Sequence, residues 1–267
     1  MVQQVAALSQ IYYVVLPLLL RASQILVTRQ KELADLSTKA RHERGQEIEA
    51  EIRKFLEMTL MQLFPNHAIY TGPKADPTAQ PLQWVVVPLN GGRYYFRGLP
   101  FYATSLALRR EGEIVLGVVI EPAAQSVWHA LKGEGAYFNG KRVTVSEEKS
   151  LNNACIYLDT PQDRSSSTVK KRELVRNSFV KEGCRINAFE VSSLGLSYLA
   201  TGAFDVFVGF REDTNLRQFM AGLVIAKEAG AIIMDGEGKP LRATSASNTI
   251  LVAAPGVVRQ CLLLVHS

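Results

Sequence analysis

Cysteine and histidine are both scarce in this 267-residue chain. Cys155, Cys184 and Cys261 are odd in number and far apart. That pattern argues against a disulfide framework and a cysteine metal site, and fits the reduced thiols of a cytoplasmic protein. The four histidines, His42, His67, His129 and His266, share no ligand spacing, so none points to a metal or a catalytic pair. Long apolar runs are missing as well. The one run of note, Ile11–Leu20, is about half the roughly twenty residues that a transmembrane helix needs. No basic region precedes it and no small-residue cleavage site follows, so neither a membrane partner nor a signal peptide is expected. A buried first helix or a contact between subunits is the expectation, with Pro17 starting or kinking the helix. Basic tracts are absent too. Thirty Lys and Arg against 25 Asp and Glu give a net charge of +5, compatible with anionic ligands but without the footprint of a nucleic-acid-binding protein. No nucleic-acid partner is expected.

What is present is an ordinary globular composition, 47% hydrophobic and 21% charged, in a chain long enough for one large or two small domains. There are no repeats and no low-complexity linker. Ile48, Ile52, Phe55, Leu56, Leu60 and Leu63 recur at helical spacing and predict an amphipathic helix over 44–63. Strands are predicted at 83–87, 103–109, 114–120 and 126–131. A helix at 168–182, closed by Gly183, follows. Helices at 193–201 and 219–229 then alternate with strands at 206–209, 231–234 and 250–253. This order predicts an α+β half, 1–148, and an α/β half, 149–267, divided within Ser146–Asn153.

Five motifs add to this pattern. Trp84-Val85-Val86-Val87-Pro88-Leu89-Asn90-Gly91-Gly92 is followed by Gly98-Leu99-Pro100-Phe101 and Gly133-Glu134-Gly135-Ala136-Tyr137-Phe138-Asn139-Gly140. Tyr198-Leu199-Ala200-Thr201-Gly202-Ala203-Phe204-Asp205 and the pair Ala221-Gly222, with Ala226–Ala231 behind it, complete the set. Together they strongly resemble the inositol monophosphatase family over about residues 30–255. The resemblance implies a mixed α/β fold, a layered αβαβα sandwich, with its cleft between the two halves.

The family's core motif reads W-V-x-D-P-[IL]-D-G-T, and its aspartates hold catalytic magnesium. Carried over residue by residue, Val87 and Asn90 stand at those two aspartates and Gly92 at the threonine. Gly72 stands at the metal-ligand glutamate, and Arg217-Gln218 replaces the tryptophan-aspartate pair of the second signature. Ser37-Thr38-Lys39-Ala40-Arg41 matches V-T-x-A-D, which puts Arg41 on a fifth carboxylate. Magnesium needs several hard oxygen ligands, so the resemblance implies that no metal and no cofactor is used and that magnesium-dependent phosphatase activity is absent.

What the resemblance keeps is the Asn90-Gly91-Gly92 turn, whose backbone N–H groups face the substrate phosphate in the family. Arg41, Arg217 and Arg211, the last near a family inositol contact, are the candidate side chains for a metal-free oxyanion pocket. Glu190 and Asp213 are candidate general bases, with a salt bridge to one of the arginines as the plainer reading. Tyr94, Tyr95 and Phe96 are expected as packing residues or as walls of the cleft. The expected function is a catalytically inert pseudo-phosphatase that binds a phosphate- or sulfate-bearing small molecule and acts through a partner, as a homodimer or with a related chain. A metal-independent enzyme acting on such esters and a pure interaction scaffold are the alternatives.

Overall fold

Leu8, Tyr12, Val15, Leu19, Ala22 and Leu26 recur every three or four residues, and all six are buried on one face of a single helix, α1 (Val2–Gln30). A fully buried Leu or Val side chain is worth ~1.5–3 kcal/mol, so this face anchors the first layer. The helix is far longer than its apolar run predicts. From Leu8 to Leu33 it is long and apolar enough, by length and composition, to cross a membrane, yet its inner face belongs to the protein core. Pro17 sits inside the helix rather than at its start, on the exposed side with Tyr13, Val14 and Leu20. The computed structural model describes residues 2–72, 80–159, 166–210, 216–241 and 247–266.

The second helix, α2 (Thr38–Leu63), begins ahead of the predicted one because Ser37 caps it, accepting a hydrogen bond from the Ala40 N–H at 3.4 Å. Ile48, Ile52, Leu56 and Leu60 form its buried face. It runs antiparallel to α1: Arg29 bonds Glu51 at 2.8 Å, and the Arg21 guanidinium lies 5.4 Å above the Phe55 ring.

Both helices cover one face of a seven-stranded sheet whose strands lie in chain order: β1 (Ala68–Tyr70), β2 (Leu82–Asn90), β3 (Ala103–Arg110), β4 (Glu113–Glu121), β5 (Ser126–Leu131), β6 (Gly135–Phe138) and β7 (Lys141–Val143). β1 pairs parallel to β2 and every later neighbour is antiparallel. Residues alternate between two cores. Trp84, Val86, Leu106, Leu108, Val118 and Ile120 face α1 and α2, while Val85, Ala107 and Val119 face the opposite layer. Both faces are therefore covered, which is why these strands read as almost continuous apolar runs.

That opposite layer consists of α5 (Ser192–Ala200) and α6 (Met220–Glu228). Gly117 of β4 admits α6 closely, since a Cβ there would stand 2.6 Å from the Ala221 carbonyl oxygen. Beyond these helices lies a second sheet in the order β11-β12-β10-β8-β9: β8 (Cys155–Leu158), β9 (Arg185–Asn187), β10 (Val206–Phe210), β11 (Ile232–Asp235) and β12 (Thr249–Ala253). Its outer face packs on α4 (Ser166–Lys181) and α7 (Val258–His266). A four-residue helix, α3 (Gly92–Tyr95), follows β2. The architecture is the layered αβαβα sandwich, with α5 and α6 buried between the two sheets. β6, β7, β8, β9, α3 and α7 are additions to the predicted elements.

A titratable ring is buried where α1 meets the sheet. His129 of β5 stacks between Tyr12, at 4.1 Å, and Tyr137, at 5.1 Å. Burial pulls its imidazole down to about 4, so the folded state disfavours the charged ring. Its contribution is intact above the usual histidine value, near 6.5, and is lost as pH falls from there toward 4. His129→Phe retains a stacked ring and removes the proton. Between pH 7.5 and 4.5 the wild type should lose about 2–3 kcal/mol more stability than this variant in urea unfolding. Equal losses would mean that His129 does not contribute to acid sensitivity.

Candidate functional site at the glycine turn

The end of β2 departs from regular pairing. Its register against β3 shifts between Val87 and Asn90, and Thr104 donates a hydrogen bond to the freed Pro88 carbonyl at 2.9 Å. The shift turns Asn90 inward toward α5. The Asn90 Oδ1 accepts hydrogen bonds from the Ser193 N–H at 3.2 Å and the Ser193 hydroxyl at 2.9 Å, both buried. Gly91 follows with φ +89°, and a Cβ there would lie 2.6 Å from the Phe101 carbonyl oxygen and 2.9 Å from the Val191 side chain. Only glycine suits both the conformation and the space. Gly92 then opens α3.

An ion pair at this turn joins the segment after β2 to the segment before α5. Arg93, just after the glycines, meets Glu190 at 3.0 Å. Behind it, the Tyr157 hydroxyl donates to the Phe189 carbonyl and accepts from the Val191 N–H at 3.1 Å. Glu190 is thus flanked by two residues that Tyr157 holds. Burial raises the Tyr157 phenol well above its usual range, so it remains a neutral donor. The start of α5 is fixed further by Ser192, which donates to the buried Asp159 carboxylate at 2.7 Å.

The structure disperses the arginines expected to converge. Arg41 turns back along its own chain and donates to the Leu36 carbonyl at 2.8 Å and to the Ala34 carbonyl, capping the turn before α2. Arg217 lies elsewhere: its Nη1 donates to the Val86 carbonyl at 3.2 Å. Burial pulls its guanidinium below the usual value, while Tyr70 and Glu49 partly restore the charged form and Arg53 opposes it. Glu49 is two turns further along α2 than Arg41, ~12 Å of helix rise. Arg41 and Arg217 thus donate to carbonyls of different segments, Leu36 and Ala34 in one case and Val86 in the other. The physical reason is local: exposed carbonyls before α2 are the nearest acceptors for Arg41.

Val87 is 2% exposed within the sheet. Gln218 is half-buried just ahead of α6, and Gly72 is half-buried after β1. Arg211 and Asp213 lie outside the described residues. Glu190 does form a salt bridge, although its partner is Arg93 and not Arg41 or Arg217. Tyr95 is no cleft wall: it is fully buried and its hydroxyl donates to the Leu26 carbonyl of α1 at 2.8 Å. Tyr94 meets the Phe101 ring edge-on at 6.0 Å. Among the described residues no three His, Cys, Asp or Glu side chains gather as a metal-ligand group.

Sequence reasoning missed Arg93, Ser193 and Tyr157. A basic residue directly after a Gly-Gly turn was a usable signal for Arg93. Ser193 and Tyr157 act across long sequence separations, with no local mark in the chain.

Fold and site together define a phosphatase-type layered sandwich with a glycine turn at the junction of its layers. Residues 7–264 match the inositol monophosphatase family, and the chain belongs to that family. An inositol-1-monophosphatase from Rhizobium meliloti (strain 1021) is 37% identical over 165 residues, 61% of each chain, so this aligned stretch spans less than two thirds of that relative. A putative Nus factor SuhB from Neisseria meningitidis serogroup B is 29% identical over 256 residues, 92% of this chain and 94% of the relative. The crystal structure of the extragenic suppressor protein suhB from Bartonella henselae superposes with a TM-score of 0.83 at 22% identity, covering 97% of this chain and all of that one.

The link from Asn90 to α5 generates a direct prediction. Asn90→Ala leaves the buried Ser193 N–H and hydroxyl without their acceptor, which should lower stability by about 1–3 kcal/mol. Urea midpoints at constant m-value measure it. A change within 0.5 kcal/mol, roughly that of an inert surface substitution, would show the bond to be dispensable.

Proposed function

We propose that this member of the family is a pseudo-phosphatase without magnesium chemistry, which binds a phosphate- or sulfate-bearing small molecule at the glycine turn and acts through a partner. The observation that carries this reading is how the side chains at the metal-ligand positions implied by the resemblance are used. Val87 is a buried hydrocarbon. The Asn90 oxygen is taken by Ser193. Arg217 places a cation against the Val86 carbonyl, and Arg41 is bound to the turn before α2. Magnesium requires several hard oxygens in octahedral geometry and holds them best as carboxylates. These residues do not fit that requirement.

The turn retains what binding needs. Gly91 keeps the left-handed bend of a turn whose backbone N–H groups can bind an anion, and Arg93 beside it is half-exposed. A ligand oxyanion competing with Glu190 for Arg93 gains a charge-assisted hydrogen bond. Binding would thereby loosen an ion pair that joins the segments after β2 and before α5, a change that a partner can sense. The relatives carry names of both kinds, an inositol-1-monophosphatase and a putative Nus factor. Family membership alone therefore does not assign turnover.

Calorimetric titration of chelator-treated protein with inorganic phosphate and sulfate tests this reading. Binding is expected without metal, about tenfold weaker in Arg93→Ala, the loss of one hydrogen bond to a charged group. Binding that appears only with magnesium, or release of phosphate from monoesters in its presence, would contradict the proposal.

A further inference from the structure

Beside the glycine turn is a cavity of about 70 Å³, walled by Phe101, Phe189, Tyr157, Leu194, Tyr198 and Glu121. Val191 also lines it, and Val191 and Phe101 are the two residues against which Gly91 is pressed. Turn and cavity thus share a wall. The rings of Phe101 and Phe189 stack with centroids 5.4 Å apart, and Phe101 reaches the surface at 42% exposure. Tyr157 and Leu194 are deeply buried.

The cavity is apolar apart from one feature. Glu121, at the end of β4, is 6% exposed. Its Oε2 accepts a hydrogen bond from the Tyr198 hydroxyl at 2.7 Å, and its carboxyl makes no other hydrogen bond among the described residues. Burial raises the Glu121 carboxyl, with the Tyr198 bond opposing the rise. No lysine, arginine or histidine among the described residues lines the space. A carboxyl group held there without a cation is an expense that plain packing would avoid, since an apolar side chain would fill the space without it.

Size and polarity restrict the occupant. At roughly 30 Å³ for a water's share of liquid volume, the space suits about two waters or one small organic group. Buried water needs two to four polar partners, and Glu121 with Tyr198 gives at most two, at one end. An ammonium would meet the Glu121 carboxyl at one end but leave its remaining N–H donors against apolar wall, and an anion would meet that carboxyl with no cation in the lining. We propose that this cavity is a binding pocket for a small uncharged group, two or three carbons bearing one hydroxyl, with Glu121 holding the hydroxyl and the aromatic wall holding the carbons. Because the wall is shared, such a group can belong to a ligand lying along the turn. The pocket itself does not depend on anion binding there.

The test is titration of the intact protein with 2-propanol, followed by NMR of the two indole N–H signals. Trp128 packs edge-on against Tyr198 at 5.3 Å, whereas Trp84 lies in the core on the opposite face of the sheet. A saturable shift confined to Trp128 is expected. Glu121→Leu should weaken it at least tenfold, and Glu121→Gln, with the same shape and a polar end, by no more than about threefold. Isopropylammonium and isobutyrate, tested on the wild type, should produce no saturable shift. Drift that is linear and equal for both tryptophans, an unaltered response in Glu121→Leu, or binding of either ion as tight as the alcohol would overturn the proposal.

Discussion

The arrangement of the cleft depends on the hydrogen bonds that Asn90 accepts from Ser193. They join the end of the strand that carries the glycine turn to the first residues of the helix sandwiched between the sheets. Every other feature of the site follows from that junction. With α5 pinned there, Val191 presses on Gly91, Tyr157 orders the Phe189–Val191 segment, and Glu190 reaches Arg93. A carboxylate at position 90 could accept the same bonds, but it would add a charge that the described neighbourhood does not balance. The neutral amide accepts both bonds and adds no charge.

The same economy explains Arg217. A buried guanidinium is costly unless its donors are satisfied and carboxylates or carbonyls stand close. Here it has the Val86 carbonyl, with Glu49 and Tyr70 near enough to favour its charge. The cation is therefore part of the packing between β2, α2 and the approach to α6. An arginine at this place works as a fixed positive charge that belongs to the fold, and Arg41 likewise serves the turn that starts α2. The proposed anion site then rests on the turn and Arg93, with the other two arginines as supports.

Much of this was legible in the chain, and the failures have physical causes. Buried faces with helical or continuous apolar patterning, such as 44–63 and β2 to β5 of the first sheet, could be placed because burial writes the period into the sequence. The short strands Arg185–Asn187 and Lys141–Val143 could not, since three residues at a sheet edge carry too little apolar pattern to register. The first helix was underestimated because polar residues such as Ser23 and Gln24 interrupt its apolar run while its inner face continues to Leu26. In the site, the turn could be read from Gly91 and Gly92. The destinations of Arg41 and Glu190 could not, because a side chain takes the nearest good partner in space, and those partners, carbonyls and Arg93, leave no motif.

The most direct test of the claim that internal bonds have taken over the metal's place is thermal unfolding with chelator against unfolding in excess magnesium. A bound ion stabilises the native state in proportion to its occupancy, by about 2.7 kcal/mol at a hundred times its Kd. An unchanged melting temperature is expected, because among the described residues no set of carboxylates gathers to hold the ion. A rise of several degrees that saturates with magnesium would contradict it, and would mean that oxygen ligands gather at this cleft despite Val87, Asn90 and Arg217.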